Sequence, residues 1–202
     1  MNDYRPMCYR CNRPRACCLC DTILPIETRT QFVILIHPKE FKRIKNNTGR
    51  LTHLSLPNSL LLCGIDFSRH KALNAILDDP QNHCVILYPA ADALPLEESD
   101  LPPEGKRLVI ILIDATWASA RPILRQSTNL HALPRITFRH GGSSAYGFKR
   151  QPFAEALSTI ESTHAVLKIL HDKGIEAITP AQLENFLSPF HKMVDFQRRF
   201  NP

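Results

Sequence analysis

At 202 residues and 44% hydrophobic, the chain is long enough for one domain with a small appendage. It holds no apolar run of about 18 residues, which excludes a membrane-spanning helix. It begins Met-Asn-Asp-Tyr-Arg-Pro without the apolar stretch of a signal peptide, so the cytoplasm is the expected location. The formal charge of +6 and a pI near 9.0 suit an anionic partner such as nucleic acid. The basic residues group at 5–15, 39–50, 135–150 and 192–199, where they either meet such a partner or simply solvate those faces.

Five of the seven cysteines fall in the first twenty residues, as Cys8-x-x-Cys11 and then Cys17-Cys18-x-Cys20. Four thiolates from so short a loop match tetrahedral zinc held by sulfur, a structural rather than a catalytic pattern. Cys8, Cys11 and Cys20 supply three ligands, and either Cys17 or Cys18 the fourth. A redox Cys-x-x-Cys is the competing reading. Residues 1–25 are expected to form this zinc knuckle and 26–202 an α/β domain. Arg10, Arg13 and Arg15 would then face phosphates.

Gln31 to His37 reads as a buried strand, and Pro38 turns the chain out of it. His37 and Glu40 therefore stand at a strand's carboxyl end. Residues 39–45 look like a short basic helix, and 46–50 like a turn whose Gly49 permits tight geometry. Residues 59–64 form a third apolar strand, 68–77 a short helix, and 83–88 another strand. Cys63 and Cys84 sit alone in these apolar runs and are expected in the core. Residues 89–106, rich in proline and acid, form a surface loop.

Leu108 to Ile113 is six consecutive apolar residues, mostly β-branched, the pattern of a strand covered on both faces. It stops at Asp114, and a helix follows from about Thr116, with Pro122 expected near its first turn. Asp114 either caps that helix or faces a ligand crevice at the strand's carboxyl end. Trp117, the single tryptophan, either fills core or lines the same crevice. Residues 135–139 are a short fifth strand. Residues 141–147, glycine-dense, should form a mobile loop. Ser158-Thr-Ile-Glu161 is a capping box opening a helix that Gly174 ends. Thr179-Pro180-Ala-Gln182 opens another, with Leu183, Phe186, Leu187 and Phe190 as its core stripe. Ser188-Pro189 kinks or restarts it. Strands alternating with helices indicate an α/β fold with a mostly parallel sheet.

Taken together, these segments resemble the DTW-domain family, named for its Asp-x-Thr-Trp signature, here Asp114-Ala-Thr116-Trp117. The likeness extends through Cys8-x-x-Cys11-x-Arg13-Pro14-x-x-x-Cys18-x-Cys20, His37-Pro38-x-Glu40, Asn47-Thr48-Gly49, Ser144-x-Tyr146 and Leu157-Ser158-Thr159-Ile160-Glu161. Its spacing selects Cys18 as the fourth ligand. Two departures are Lys149, where the family usually has arginine, and Ser162, where it commonly has alanine.

The resemblance implies a tRNA-uridine aminocarboxypropyltransferase, moving the 3-amino-3-carboxypropyl group of S-adenosylmethionine to N3 of a tRNA uridine. For the bacterial branch that is the variable-loop uridine at tRNA position 47. It also implies a SPOUT-like fold with a C-terminal trefoil knot. Asp114 would take or orient the N3 proton, or else bind the cofactor's cationic ammonium or sulfonium; Thr116 and Trp117 complete the catalytic set. His37, Glu40, Asn47, Thr48, Tyr146, Leu157, Ser158 and Thr159 would surround S-adenosylmethionine. Arg13, Arg43, Arg50, Lys149 and Arg150 would hold tRNA. Two other functions fit parts of the pattern: an RNA methyltransferase using the same cofactor, and a non-catalytic zinc-knuckle RNA-binding module. The second leaves the polar strand tips at His37 and Asp114 without a purpose.

Overall fold

The structure, a computed structural model, describes residues 6–43, 46–139 and 157–199. The amino-terminal segment makes a two-residue hairpin, β1 (Met7–Cys8) with β2 (Arg13–Pro14), in which Cys8 faces Arg13. Its turn places Asn12 at φ 57°, a left-handed position that asparagine tolerates. The chain then runs through β3 (Gln31–Ile36), α1 (Pro38–Arg43), α2 (Thr48–Ser55), β4 (Ser59–Cys63), α3 (Lys71–Leu77), β5 (Asn82–Leu87), β6 (Leu94–Pro95) and β7 (Arg107–Asp114). After these come α4 (Trp117–Gln126), β8 (Arg135–Thr137), α5 (Thr159–Asp172), α6 (Pro180–Phe186) and α7 (Ser188–Arg198).

Six strands form one sheet in the order β4-β3-β7-β5-β8-β6, and every described pairing in it is parallel. The continuous apolar runs follow from this. Along β7, Leu108, Ile110 and Leu112 pack on one face with Leu51 of α2, Val166 and Leu170 of α5, and Phe190 of α7. Val109 and Ile111 pack on the other with Leu73 of α3 and Ile123 of α4. A strand covered on both faces has no polar side to alternate with.

Leu19, Ile23 and Ile26 are buried in the same cluster as α2 and α5, so the cysteine segment is packed onto the α/β core rather than tethered to it. Gly174 closes α5 at φ 72°, as its position suggested, and α6 stops at Phe186 so that α7 restarts at Ser188.

Several local expectations change. Residues 48–55 are a helix, not a turn, and Asn47 is its cap: the Arg50 amide donates to Asn47 Oδ1 at 2.7 Å. Because α4 begins at Trp117, Pro122 falls in its second turn, where it withholds an N–H from the helix. The 89–106 loop contributes β6 and a short 3-10 turn, Leu96–Glu98. Cys84 is buried as expected, but Cys63 is exposed, because β4 is an edge strand and Cys63 is its last residue. The glycine-dense 141–147 segment lies outside the described residues.

Candidate active site

The chain leaves β3 for β4 on one side and β7 for β8 on the other, with α2 and α4 on opposite faces of the sheet. A crevice opens at such a switch point, outside the carboxyl ends of the strands. Ile36 and Asp114, the last residues of β3 and β7, are in register there, and the His37 amide donates to the Asp114 carbonyl at 3.2 Å.

Asp114 is 6% exposed, and its carboxylate is held from two directions. Asn47 Nδ2 donates to Oδ2 at 2.5 Å, and Thr159 Oγ1 donates to Oδ1 at 2.6 Å. Asn47 thus divides its amide, the NH2 going to Asp114 and the carbonyl to the first turn of α2, which fixes its orientation. Gly49 explains itself here. A Cβ at that position would lie 2.5 Å from Asp114 Oδ2, so glycine is required for close approach rather than for an unusual φ. Both oxygens accepting is the pattern of an ionised carboxylate.

Thr159 is the first residue of α5. Just before it, the Ser158 amide and hydroxyl donate to Glu161 Oε2 at 2.9 and 2.6 Å, completing the expected box. The hydroxyl protons of Ser158 and Thr159 are therefore directed to Glu161 and Asp114. Of the first-turn amides of α5, that of Glu161 is taken by the Ser158 side chain, and those of Thr159 and Ile160 lie at the helix start beside the β7 tip. Leu157 precedes the cap and is half-buried.

His37 is 8% exposed; its Nδ1 accepts from the Lys39 amide at 3.2 Å, which leaves the proton on Nε2. Burial, then the Lys39 charge, holds its pKa below the ordinary histidine value. Glu40 stands half-buried in the first turn of α1. Thr48 is buried at the start of α2, with its carbonyl accepting the Thr52 hydroxyl at 3.0 Å. Thr116 is exposed, its hydroxyl 3.1 Å from that of Ser119. Trp117 is half-buried and meets Tyr88 with ring centroids 5.8 Å apart and a 57° tilt. Tyr88 was not singled out from sequence; the signal was there, since it directly follows an apolar strand as His37 does.

The Sγ atoms of Cys8, Cys11, Cys18 and Cys20 all lie within 4.8 Å of one another, while Cys17 turns to the Pro14 carbonyl. The Cys8–Cys20 and Cys11–Cys18 separations are both 3.7 Å. Tetrahedral zinc with bonds of about 2.3 Å needs edges of about 3.8 Å. The four sulfurs could therefore hold a metal ion as they stand. Hydrogen bonds from the Cys11 amide and then the Cys18 thiol draw the Cys8 thiol down to about 6, whereas burial pushes the Cys11 and Cys20 thiols up.

The cationic candidates divide. Arg50 lies over the Phe41 ring at 4.7 Å, beside exposed Lys39 and Lys42, forming a basic surface next to the crevice. Arg13 is not on that surface. It is 4% exposed, with Nη1 donating to Asn46 Oδ1 at 3.2 Å and Nη2 to Met193 Sδ at 2.9 Å. The Arg43 side chain and Tyr146, Lys149 and Arg150 lie outside the described residues.

Asp114, Asn47, Gly49 and Thr159 come from three separate sequence motifs and meet at one carboxylate. The DTW-domain model matches residues 5–198, nearly the whole chain. The chain belongs to the DTW-domain family. Among DTW relatives, it is 32% identical over 200 residues to tRNA-uridine aminocarboxypropyltransferase 2 of Drosophila melanogaster, covering 96% of this chain and 75% of that one. It is 29% identical to the Mus musculus protein of the same name, over 96% of this chain and 64% of the relative. It is 26% identical to tRNA-uridine aminocarboxypropyltransferase A of Arabidopsis thaliana, over 97% and 82%. No solved structure matches it significantly. No described helix of this DTW protein is long and apolar enough to cross a membrane.

Proposed function

We propose that this DTW protein transfers the 3-amino-3-carboxypropyl group of S-adenosylmethionine to N3 of a tRNA uridine, in the crevice between β3 and β7. The observation that carries this reading is the convergence of Asn47, Asp114 and Thr159 at a switch-point crevice, in a chain whose relatives bear that enzymatic name.

In the transfer, the N3 lone pair bonds to the γ-carbon of the donor while the carbon–sulfur bond breaks. Its electrons go to sulfur, neutralising the sulfonium and releasing methylthioadenosine. The N3 proton must leave. Asp114 receives it or holds it in line, a contribution on the order of 10²–10⁴-fold. Asn47 and Thr159 keep the carboxylate from rotating. The Thr159 and Ile160 amides at the start of α5, with the Thr116 hydroxyl, suit the donor's carboxylate. His37, Glu40, Thr48, Leu157 and Ser158 line the same side, and Trp117 and Tyr146 offer stacking faces for adenine or uracil. Holding the γ-carbon about 3–3.5 Å from N3 is the main demand on the pocket.

Arg50, Arg43, Lys149 and Arg150 grip the tRNA backbone, so binding weakens steeply with salt. Cys8, Cys11, Cys18 and Cys20 hold a structural zinc that takes no part in the bond change. A SPOUT-like knot belongs to the same reading, as the resemblance to the DTW-domain family implies. The target is the variable-loop uridine at tRNA position 47, and the reaction is cytoplasmic.

Nucleoside mass spectrometry on an unmodified tRNA transcript incubated with the protein and S-adenosylmethionine tests the reading. A uridine heavier by one aminocarboxypropyl group, absent when the position-47 uridine is replaced, is expected. A methylated base would overturn it in favour of a methyltransferase, and tight tRNA binding with no product in favour of a binding module.

A further inference from the structure

A guanidinium carries five donors and is costly to bury unless they are used. Arg13 is buried to 4% exposure, and its two arms go to different elements. Its backbone is fixed by the knuckle: the β1–β2 register sets it opposite Cys8, one of the four clustered thiols. From there Nη2 reaches Met193 on α7, and Nη1 reaches Asn46. Asn46 is one peptide unit from Asn47, whose amide holds Asp114 with one end and caps α2 with the other.

We propose that Arg13 is a positioning residue for the Asp114 crevice: through Asn46 it ties the cysteine knuckle to the start of α2, from which Asn47 and Gly49 reach Asp114. The start of α2 has little slack in one direction, because Gly49 already sits where a single added carbon would strike the carboxylate. Without the Arg13 arm, the start of α2 moves only away from Asp114, lengthening the Asn47 bond. The metal site therefore acts on the reaction without touching either substrate, by holding Arg13 in place. Lysine at position 13 keeps the charge but cannot fork to both partners. The kinetic part of this inference rests on the transfer reading above; the structural part does not.

The test compares wild type, Arg13→Met, Arg13→Lys and Asn46→Ala, and the Arg13→Met/Asn46→Ala pair, as full chains. Three readouts are taken: the thiolate-to-metal band with cobalt in the knuckle, the Asn47 side-chain amide signal by nitrogen-15 NMR, and kcat and KM with tRNA. Each single variant should keep the cobalt band, shift the Asn47 signal and lower kcat by about tenfold to a hundredfold with KM for tRNA unchanged. The double variant should be no worse than the singles, since both cut one link. An unmoved Asn47 signal in Asn46→Ala would overturn the proposal, as would loss of the cobalt band in Arg13→Met alone, which makes Arg13 a staple within the knuckle. A raised KM with unchanged kcat would also overturn it, returning Arg13 to RNA binding. If wild type makes no aminocarboxypropyl product, the transfer reading falls, while the NMR comparison still decides the role of Arg13.

Discussion

The cysteine knuckle and the tip of β7 are both built from short polar segments, yet different forces hold them. The knuckle spans two two-residue strands and a few turns, too little to bury a core of its own. Four sulfurs at metal-ligand spacing draw its loops together, and Leu19, Ile23 and Ile26 pack it onto the α/β core. The β7 tip has no such cross-link. Asp114 is placed because five buried residues before it, Leu108 to Leu112, are locked in register between β3 and β5, and packing decides where the strand ends. The contrast teaches that a protein can fix a reactive group by burying what precedes it, whereas a peripheral segment needs a bond-like clamp.

The sharpest way to break this comparison is to remove the proposed zinc. Chelation, or Cys11→Ser, should abolish hydrogen-exchange protection across 6–18 and expose that stretch to protease, because structural thiolate sites supply the folding energy of such segments. β3 and β7 should stay protected. Loss of protection in β7 as well would show that the two regions are one cooperative unit. Gly49→Ala attacks the other side. The added methyl meets the Asp114 carboxylate, so activity should fall by roughly a hundredfold and stability by about 1–3 kcal/mol in thermal unfolding. Cobalt binding at the knuckle should be untouched.

Thr159→Val removes one hydrogen bond to the carboxylate while keeping shape. A cost of about 1.5–3 kcal/mol is expected for a bond to a charged group, read as a roughly tenfold or greater loss in single-turnover rate. Unchanged rate would mean that Asn47 alone orients Asp114. The smallest effect concerns pH. Burial lowers the pKa of His37, His53, His83 and His164 below the ordinary value of 6.5. The unfolded chain then binds more protons than the folded one just below that value. Their contribution is present above pH 6.5 and is lost as pH falls toward the folded values. Melting temperature should decline from pH 7 to 5, less so in His37→Asn; a flat profile would contradict the burial assignments.

Much of this was legible in the chain. The apolar runs at 31–36 and 108–113 gave away a sheet covered on both faces, and the polar residues ending them marked the crevice. Cysteine spacing marked the knuckle, and the Ser158 and Thr179 boxes marked two helix starts. What stayed hidden depends on contacts between distant segments. α2 was missed because it opens with Thr48-Gly49, poor helix formers that are there for Asp114 and not for the helix. Cys63 sits in an apolar run that sequence assigns to the core; only strand order reveals that β4 is an edge. Arg13 looked like a phosphate contact among other arginines, and its burial against Asn46 and Met193 has no local signature.

The most direct test of the central claim is Asp114→Asn beside wild type, with single-turnover aminocarboxypropylation and tRNA affinity measured on the same preparations. Asparagine keeps the shape and the approach of Thr159 but cannot accept the N3 proton. The account predicts tRNA affinity within about twofold and a rate lower by on the order of 10²–10⁴-fold. Product formed at the wild-type rate would contradict it, and would move the chemistry away from the tip of β7.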